Sequence, residues 1–472
     1  MSNEGPAAVT YNRKRLLWAC CVAMTATAMT FSIRGDTLSS FGLEFKLTHE
    51  QEGLISFMGM FGFPIAILLV GPFCDTIGMG LLLKLASCGH LLGVVLTLLS
   101  PKVGFPLLLL ANLIFSLANG TIEAVANPLV ATMYPEEKPA KLSLLHAFWP
   151  MGMIIGGLFS VLVSKAMSIP PDPLPGDATS LSWKIKWAIV IICAVAYLIM
   201  VWGQKFPNTE RVEHGVSNSE MGKAVLAPGF LLLMFCMILT AITELGPDQW
   251  VGSVMTDTVK IQGILGLVYA AGLMFVLRVK AGVFIERLSP IGMLTAAAAI
   301  SAVGLFALSY SFSAGMAFVA LTIYGIGKCF FWPTMLGSAN ERFPRTGALG
   351  LALMGGIGMI AASVAGPTMG KFYDKGEIAY LQTTPLATLV LAPDGTLNHE
   401  AVESIRKAAK EGNPMAGEFA KSIAEGQKQG AALSFRVVAV LPVVAFVIFA
   451  LMWAGFKKKG GYAAVHIADE GA

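Results

Sequence analysis

Long apolar segments alternate with short polar ones along most of this chain. Twelve of the apolar segments reach about 20 residues or more, the length that a helix needs to cross the hydrocarbon core of a bilayer. In chain order they are 16–41, 51–73, 80–99, 105–133, 142–167, 183–203, 227–252, 259–283, 290–310, 314–338, 347–370 and 433–455. The pattern predicts an all-α polytopic membrane protein with twelve transmembrane helices.

Repeated motifs indicate that these helices form two similar sets. Gly71 stands four residues before Asp75 at the end of the second span, and Gly282 stands four residues before Glu286 at the end of the eighth. The fifth and eleventh spans are both rich in glycine, which lets helices approach closely and slide. We therefore expect two pseudo-symmetric six-helix halves.

A polar segment at 204–226 separates the sixth span from the seventh. We assign it as a linker between an N-terminal half, 1–203, and a C-terminal half, 227–472. The Lys and Arg residues of short loops lie mostly in segments on the side of the N-terminus. This bias predicts that both termini are cytoplasmic, in a plasma (bacterial inner) membrane.

A second long polar segment, 371–432, precedes the last span and falls on the extracytoplasmic side in this topology. Asn398 is a suitable N-cap for residues 400–410, and residues 415–423 carry apolar side chains at a spacing of four. We predict two short amphipathic helices here, in a solvated loop.

Composition agrees with a membrane protein and excludes several functions. Residues are 55% hydrophobic and 13% charged, against about 25% charged in soluble domains. The seven cysteines lie in or beside apolar segments without a C-x-x-C motif, so we expect no metal site and no cofactor. The chain has no H-E-x-x-H, G-x-S-x-G or phosphate-loop motif, so we expect no enzyme and no nucleic-acid partner.

The loop after the second span carries Gly71, Asp75 and Gly78. Its spacing resembles the loop between spans two and three of the major facilitator superfamily, without the basic residues that usually follow. The copy with Glu286 and Arg287 is closer to that pattern. The resemblance implies the major facilitator fold and makes Asp75, Glu286 and Arg287 candidates for conformational control.

Other motifs resemble the fucose:proton symporter family of sugar transporters. The first span contains Gly35 and Asp36, and the fourth contains Glu123, Asn127 and Pro128 in a Glu-x-x-x-Asn-Pro motif. The resemblance implies sugar transport by alternating access, with Asp36 or Glu123 as a proton carrier.

The chain departs from this family at two positions. His146 stands where the family commonly has glutamine, and Arg34 is an additional charge in the first span. Arg34 and Asp36 are two residues apart, which places them on different faces of a regular helix. Arg34 or another cation that neutralised Asp36 would remove its proton-carrying role.

A charge at the centre of a span costs about 2.5–3.5 kcal/mol on insertion scales, which makes intramembrane charges functional candidates. They are Arg34, Asp36, Glu123, Glu244, Arg278 and Lys328. We assign Arg34 and Arg278 to gating, Arg278 as a gate or an interhelical pair near the cytoplasmic end.

Glu123 is the central candidate for solute binding. Asn119, Glu123 and Asn127 are spaced four apart and so share one helical face. Amides and a carboxylate together can bind several hydroxyl groups of a solute. The alternative is a buried network that ties helices together.

The second half supplies further candidates. Tyr324, Lys328 and Trp332 form a stripe in span ten that offers aromatic surfaces and a cation. The alternatives are ordinary packing for Trp332 and, for Lys328, an ion pair with a carboxylate of the N-terminal half. The remaining candidates for solute binding are His146, Trp149, Glu244, Gln249 and Trp250.

The sequence therefore predicts a secondary active transporter of a small polar solute, with a sugar as the best candidate and a proton as the coupling ion. We expect a monomer whose other partner is the lipid bilayer. Uniport, sodium coupling, and export of organic anions or drugs by the same fold are the alternatives.

Overall fold

The structure is a computed structural model that describes residues 11–169, 180–248, 263–310 and 313–467. Within these residues the regular structure is helical, apart from an isolated antiparallel bridge between Leu391 and Leu397. The helices before the linker are α1 (Arg13–Phe45), α2 (His49–Val70), α3 (Cys74–Ile77), α4 (Met79–Val103), α5 (Phe105–Met133), α6 (Lys138–Ala166) and α7 (Ser180–Val201).

The linker and the C-terminal half follow. The linker contains two short helices, α8 (Glu210–Glu213) and α9 (Asn218–Ala224). The later helices are α10 (Pro228–Leu245), α11 (Gly263–Val279), α12 (Ala281–Leu288), α13 (Pro290–Ser309), α14 (Ala314–Lys328), α15 (Phe331–Arg342), α16 (Gly347–Leu381), α17 (Ala387–Val390), α18 (His399–Lys410) and α19 (Pro414–Lys458).

In the described part of the chain, eleven helical segments are long and apolar enough to cross a membrane. The bent pair α11–α12 meets the same test across a bend of 56°. Counting this pair as one span gives the twelve that the sequence predicts. Helices α2 and α3 belong to one span, and so do α14 and α15.

The segment 371–432 differs from its prediction. Helix α18 forms where it is expected, and the Asn398 side chain accepts a hydrogen bond from the Ala401 amide. The prediction of a second short helix is wrong, because residues 415–423 form the first turns of the 45-residue helix α19. Small residues explain the extension: a Cβ on Gly430 would lie 2.5 Å from the Tyr373 carbonyl oxygen, so α16 and α19 pack backbone to backbone beyond their apolar parts.

Small residues also set the contact between the halves on the side that carries both termini. A Cβ on Gly71 of the second span would lie 2.3 Å from the Cβ of Ala352 in α16. A Cβ on Gly337 of α15 would lie 2.7 Å from the Cα of Pro139 in α6. The halves are therefore in close contact on this side, which we call the termini face.

Candidate functional site

A cluster of buried polar groups lies where the two halves meet, inside the candidate membrane spans. On the N-terminal side, the Asn127 side-chain amide donates to Glu123 Oε1 at 3.0 Å. His146 Nε2 lies 3.0 Å from Asn127 Oδ1 and 3.6 Å from Glu123 Oε1. Helix α5 places Glu123 and Asn127 one turn apart, and α6 brings His146 beside them. The sequence-predicted trio of Glu123, Asn127 and His146 is thus brought together.

The C-terminal half reaches the same carboxylate through Trp332. Its indole N–H donates to Glu123 Oε1 at 3.1 Å, and both residues are buried. This bond joins α15 to α5 and so connects the two halves.

The break between α14 and α15 creates two further polar groups at this point. A helix end leaves its last carbonyls and first amides without intrahelical partners. Arg278 Nε donates to the Cys329 carbonyl oxygen at 2.7 Å, and the Trp332 backbone amide donates to Glu244 Oε2 at 3.1 Å. Arg278 and Glu244 therefore satisfy the broken helix on both sides of the gap.

Arg278 and Glu244 also pair with each other. Arg278 Nη2 donates to Glu244 Oε1 at 2.5 Å, and its Nη1 donates to the His146 carbonyl oxygen at 3.0 Å in the other half. Both side chains are buried. Arg278 thus lies within the central cluster in an interhelical pair, and its gating role stays a prediction. Both Glu244 oxygens are already engaged by the protein.

Lys328 and Tyr324 lie on the far side of this pair. Lys328 forms an ion pair with Asp248, just beyond the end of α10, and its Nζ lies 5.0 Å from the centre of the Tyr324 ring. The Tyr324 hydroxyl donates to the Thr243 carbonyl oxygen at 2.7 Å. A pair between Lys328 and a carboxylate of the N-terminal half is therefore wrong in this structure. Gln249 and Trp250 lie outside the described residues.

An aromatic wall extends from His146 along the N-terminal half. The wall consists of Phe31, Phe63 and Trp149. The Phe31 ring centre lies 5.2 Å from that of Trp149 and 6.1 Å from that of Phe63. Trp149 stands three residues after His146 on α6, so the wall adjoins the polar cluster. Sequence reasoning singled out Trp149 and missed both phenylalanines, which nothing in the local pattern distinguishes from core residues.

Two predicted residues have their polar atoms engaged elsewhere. Asn119 binds His90 Nε2 at 2.7 Å and the Thr30 hydroxyl at 3.0 Å, inside the N-terminal half. Asp36 accepts a hydrogen bond from Lys186 Nζ at 2.6 Å. Arg34 is therefore not the cation beside Asp36. The sequence analysis did not predict Lys186, because Lys186 lies near the end of its predicted span. Its position between Trp183 and Trp187 on α7 is the signal that could have indicated burial.

The termini face carries a second group of ion pairs. Asp75 accepts from Arg211 of α8 at 2.8 Å and from the Thr209 hydroxyl at 2.9 Å. Arg211 comes from the linker and was not predicted. Glu286 and Arg287 are exposed at the end of α12.

The C-terminal segment bridges parts of this face. The Tyr462 hydroxyl donates to Glu341 Oε2 at 2.7 Å, and the Ile467 amide donates to Glu210 Oε1 at 3.1 Å. Glu210 also pairs with Lys138 at the start of α6. The segment thus connects α15 with the linker and, through Glu210, with the N-terminal half.

Comparison with known proteins places this arrangement in a family. The sequence profile described as Major Facilitator Superfamily matches residues 10–376. The chain belongs to the Major Facilitator Superfamily. As a member of this superfamily with spans of this number and apolarity, it is an integral membrane protein. The fold expected from the resemblance is confirmed.

Solved structures of this superfamily share the fold at low identity. A variant of the Escherichia coli fucose:proton symporter FucP matches with a TM-score of 0.65 and 15% identity, over 91% of this chain and 98% of that one. The proton:xylose symporter XylE matches with a TM-score of 0.68 and 13% identity, over 93% and 95%. The human organic anion transporter MFSD10 matches with a TM-score of 0.62 and 11% identity, over 93% and 100%. No curated protein matches the chain.

Proposed function

We propose that this protein is a secondary active transporter of a small polar solute, with a sugar as the best candidate, and that it works by alternating access coupled to protons. It acts as a monomer in a plasma (bacterial inner) membrane, with both termini cytoplasmic. The observation that carries the proposal is the buried Glu123 carboxylate, which is held by hydrogen bonds from both halves.

Glu123 suits the binding of a polyhydroxylated solute. Its partners Asn127, His146 and Trp332 are neutral or switchable donors and acceptors, which can exchange their mutual hydrogen bonds for bonds to hydroxyl groups. The aromatic wall beside them offers an apolar surface to one face of a sugar ring. A solute that enters between Glu123 and Trp332 replaces one of the hydrogen bonds that connect the halves, and so couples binding to their movement.

Glu123 also suits proton coupling better than Asp36. Among the described residues, neither Lys nor Arg forms an ion pair with Glu123, so a proton can neutralise this carboxylate without breaking an ion pair to either residue type. Asp36 is partly exposed and already forms an ion pair with Lys186, so a proton on Asp36 would have to replace that pair. The similarity in fold to FucP and XylE, whose names describe proton symport, supports the coupling ion.

The test is uptake into proteoliposomes with and without an inward proton gradient, for a panel of sugars. We expect accumulation above the outside concentration that collapses with a protonophore. Glu123→Gln keeps the size and shape of the side chain and should abolish accumulation, while downhill exchange survives. Asp36→Asn should retain at least part of the accumulation. Uptake that never exceeds equilibrium under a proton gradient would overturn proton symport, and accumulation under a sodium gradient alone would assign sodium coupling. If the wild-type protein shows neither uptake nor exchange for any sugar of the panel, the proposal that it is a transporter is overturned.

A further inference from the structure

Arg34 is a buried cation inside the first span. Its side chain is only 5% exposed, and Nη1 donates to the Gly59 carbonyl oxygen of α2 at 3.1 Å. The guanidinium carbon lies 4.7 Å from the centre of the Phe31 ring. Within the described residues it forms no ion pair with a carboxylate, and the neighbouring Asp36 is bound to Lys186. A buried charge without a counter-charge is costly, so it indicates a partner that comes and goes.

The packing around Arg34 is shaped for a guanidinium. A Cβ on residue 59 would lie 2.0 Å from Arg34 Nη1 and 2.4 Å from its Cζ, so the guanidinium occupies the space that Gly59 leaves open against α2. The Gly59 carbonyl oxygen accepts from one of the five N–H groups of the Arg34 guanidinium, and the contact of the guanidinium with the Phe31 ring uses none of them. The guanidinium therefore retains donors that match the two oxygens of a carboxylate.

Arg34 lies at the end of the aromatic wall that is remote from His146. Phe31 contacts both the guanidinium and Trp149, and Trp149 follows His146 by one turn of α6. Phe31 and Trp149 are partly exposed, so this surface is not closed off by the packing of the N-terminal half. A ring placed on this wall would have Arg34 at one edge and the Glu123 cluster at the other.

The charges of the interior also leave two groups unmatched. Glu244 pairs with Arg278, Asp248 with Lys328, and Asp36 with Lys186. Among the described intramembrane charges that the sequence singled out, this leaves Arg34 with one positive charge and Glu123 with one negative charge. A monoanionic solute would neutralise the first, and a proton would neutralise the second.

We propose that the transported solute is a sugar acid of the uronate class, and that Arg34 binds its carboxylate while the Glu123 cluster binds its hydroxyl groups. This inference rests on the proposed function and names its substrate class. One anion moved together with one proton carries no net charge. Transport is therefore electroneutral, whereas a neutral sugar moved with one proton would carry one positive charge inwards.

The first test uses wild-type protein and two matched pairs of probes, D-glucuronate with D-glucose and D-galacturonate with D-galactose. A ligand that binds the folded state raises the unfolding midpoint by mass action. We expect at least one uronate to raise it more than its hexose at equal concentration. In proteoliposomes, uptake of that uronate should follow the proton gradient and stay unchanged when valinomycin and potassium impose a membrane potential. Uptake that rises with an inside-negative potential would overturn the inference.

The second test uses variants of the same site. Losing the charged hydrogen bonds in Arg34→Gln should weaken uronate binding roughly 10- to 100-fold, and Arg34→Lys should recover part of it. The matched control is Arg406→Gln, in helix α18 outside the candidate spans, which should leave uronate binding unchanged. Size-exclusion profiles and unfolding midpoints without ligand identify variants that fail to fold. The test of uptake by wild-type protein under a membrane potential does not depend on any variant.

The two proposals fail in different ways. Proton-driven accumulation of a neutral hexose that is unaffected by Arg34→Gln would leave the proposed function in place and overturn the uronate assignment. The absence of saturable uptake for both members of each pair would count against both.

Discussion

Replacing Trp332 by phenylalanine removes one hydrogen bond between the halves and keeps an aromatic ring in place. The indole N–H is the group that donates to Glu123 Oε1 at 3.1 Å, across the interface of α15 and α5. The backbone amide of residue 332, which binds Glu244, is unchanged by the substitution. The variant therefore isolates one contact that exists only while the halves meet at this point.

The expected magnitude follows from the type of bond. A hydrogen bond to a charged group contributes about 1.5–3 kcal/mol, and about 1.4 kcal/mol changes an equilibrium constant tenfold. Glu123 keeps its bond from Asn127, so its burial is not left wholly uncompensated. We expect Trp332→Phe to shift the equilibrium away from the conformer closed at the termini face by roughly 10- to 100-fold.

Spin labels on exposed positions of the termini face can measure this shift. Glu136 in the N-terminal half and Lys459 after the last helix are both exposed and suit a double electron–electron resonance pair. In Trp332→Phe, the population at longer distances should increase relative to wild type. Trp187→Phe is the matched control, because its buried indole N–H donates to the Thr37 hydroxyl at 3.2 Å within one half.

The comparison of these two variants tests whether the bond between Trp332 and Glu123 stabilises the closed termini face. If Trp332→Phe and Trp187→Phe give the same distance distribution as wild type, the indole bond does not stabilise the closed termini face. If both variants shift it equally, the effect is general loosening and the cross-half reasoning fails.

Three further predictions concern the interface and the termini face. Gly356→Leu should abolish transport but lower the unfolding midpoint only slightly, because the new side chain meets Leu68 of the other half. Gly156→Leu should abolish transport and also lower the midpoint strongly, because its side chain meets the backbone of Met29 within its own half. Asp75→Asn removes the charge opposite buried Arg211 and should cost about 3–5 kcal/mol of stability, read as a lower midpoint; an unchanged midpoint would exclude a structural role. Burial, together with the neighbouring Glu341 charge, raises the pKa of the Tyr462 hydroxyl well above its usual range, so this group remains a donor at neutral and mildly alkaline pH. Tyr462→Phe should increase opening at the termini face several-fold at every pH from 6 to 9, and an effect that disappears at pH 9 would contradict this.

The spans and the local part of the site are predictable from the sequence. Apolar runs of sufficient length identify the helices, because a bilayer requires them whatever the tertiary packing. The Glu123–Asn127 contact follows from a spacing of four on one helix. The same reasoning missed that α19 runs from Pro414 into the last span without a break, since backbone contact with α16 at Gly430, and not local amphipathicity, supports its middle.

The partners of the buried charges are not predictable in the same way. Asp36 and Lys186 are 150 residues apart, and Glu123 and Trp332 are 209 apart. Such pairs depend on how the helices of each half pack and how the halves dock, and neither leaves a local periodicity. The sequence pointed to residues that require partners, because charge in a membrane is costly, and the structure supplied an ion pair for four of them, Asp36, Glu244, Arg278 and Lys328.

The break in the tenth span explains why Lys328 and Trp332 have different roles although they are four residues apart. In a continuous helix they would share one face. Because α14 ends at Lys328 and α15 begins at Phe331, Lys328 instead binds Asp248 within its own half, while Trp332 binds Glu123 in the other half. The Cys329 carbonyl and the Trp332 amide on the two sides of the gap are held by Arg278 and Glu244, which are themselves paired. A break that is capped by an ion pair can change its angle without leaving unpaired backbone groups in the membrane, which a regular helix cannot do. A small rotation of α15 about this gap would therefore withdraw Trp332 from Glu123 and leave the Lys328–Asp248 pair intact. Glu123, which we propose binds the solute, and the closure of the termini face can thus respond to a single hinge.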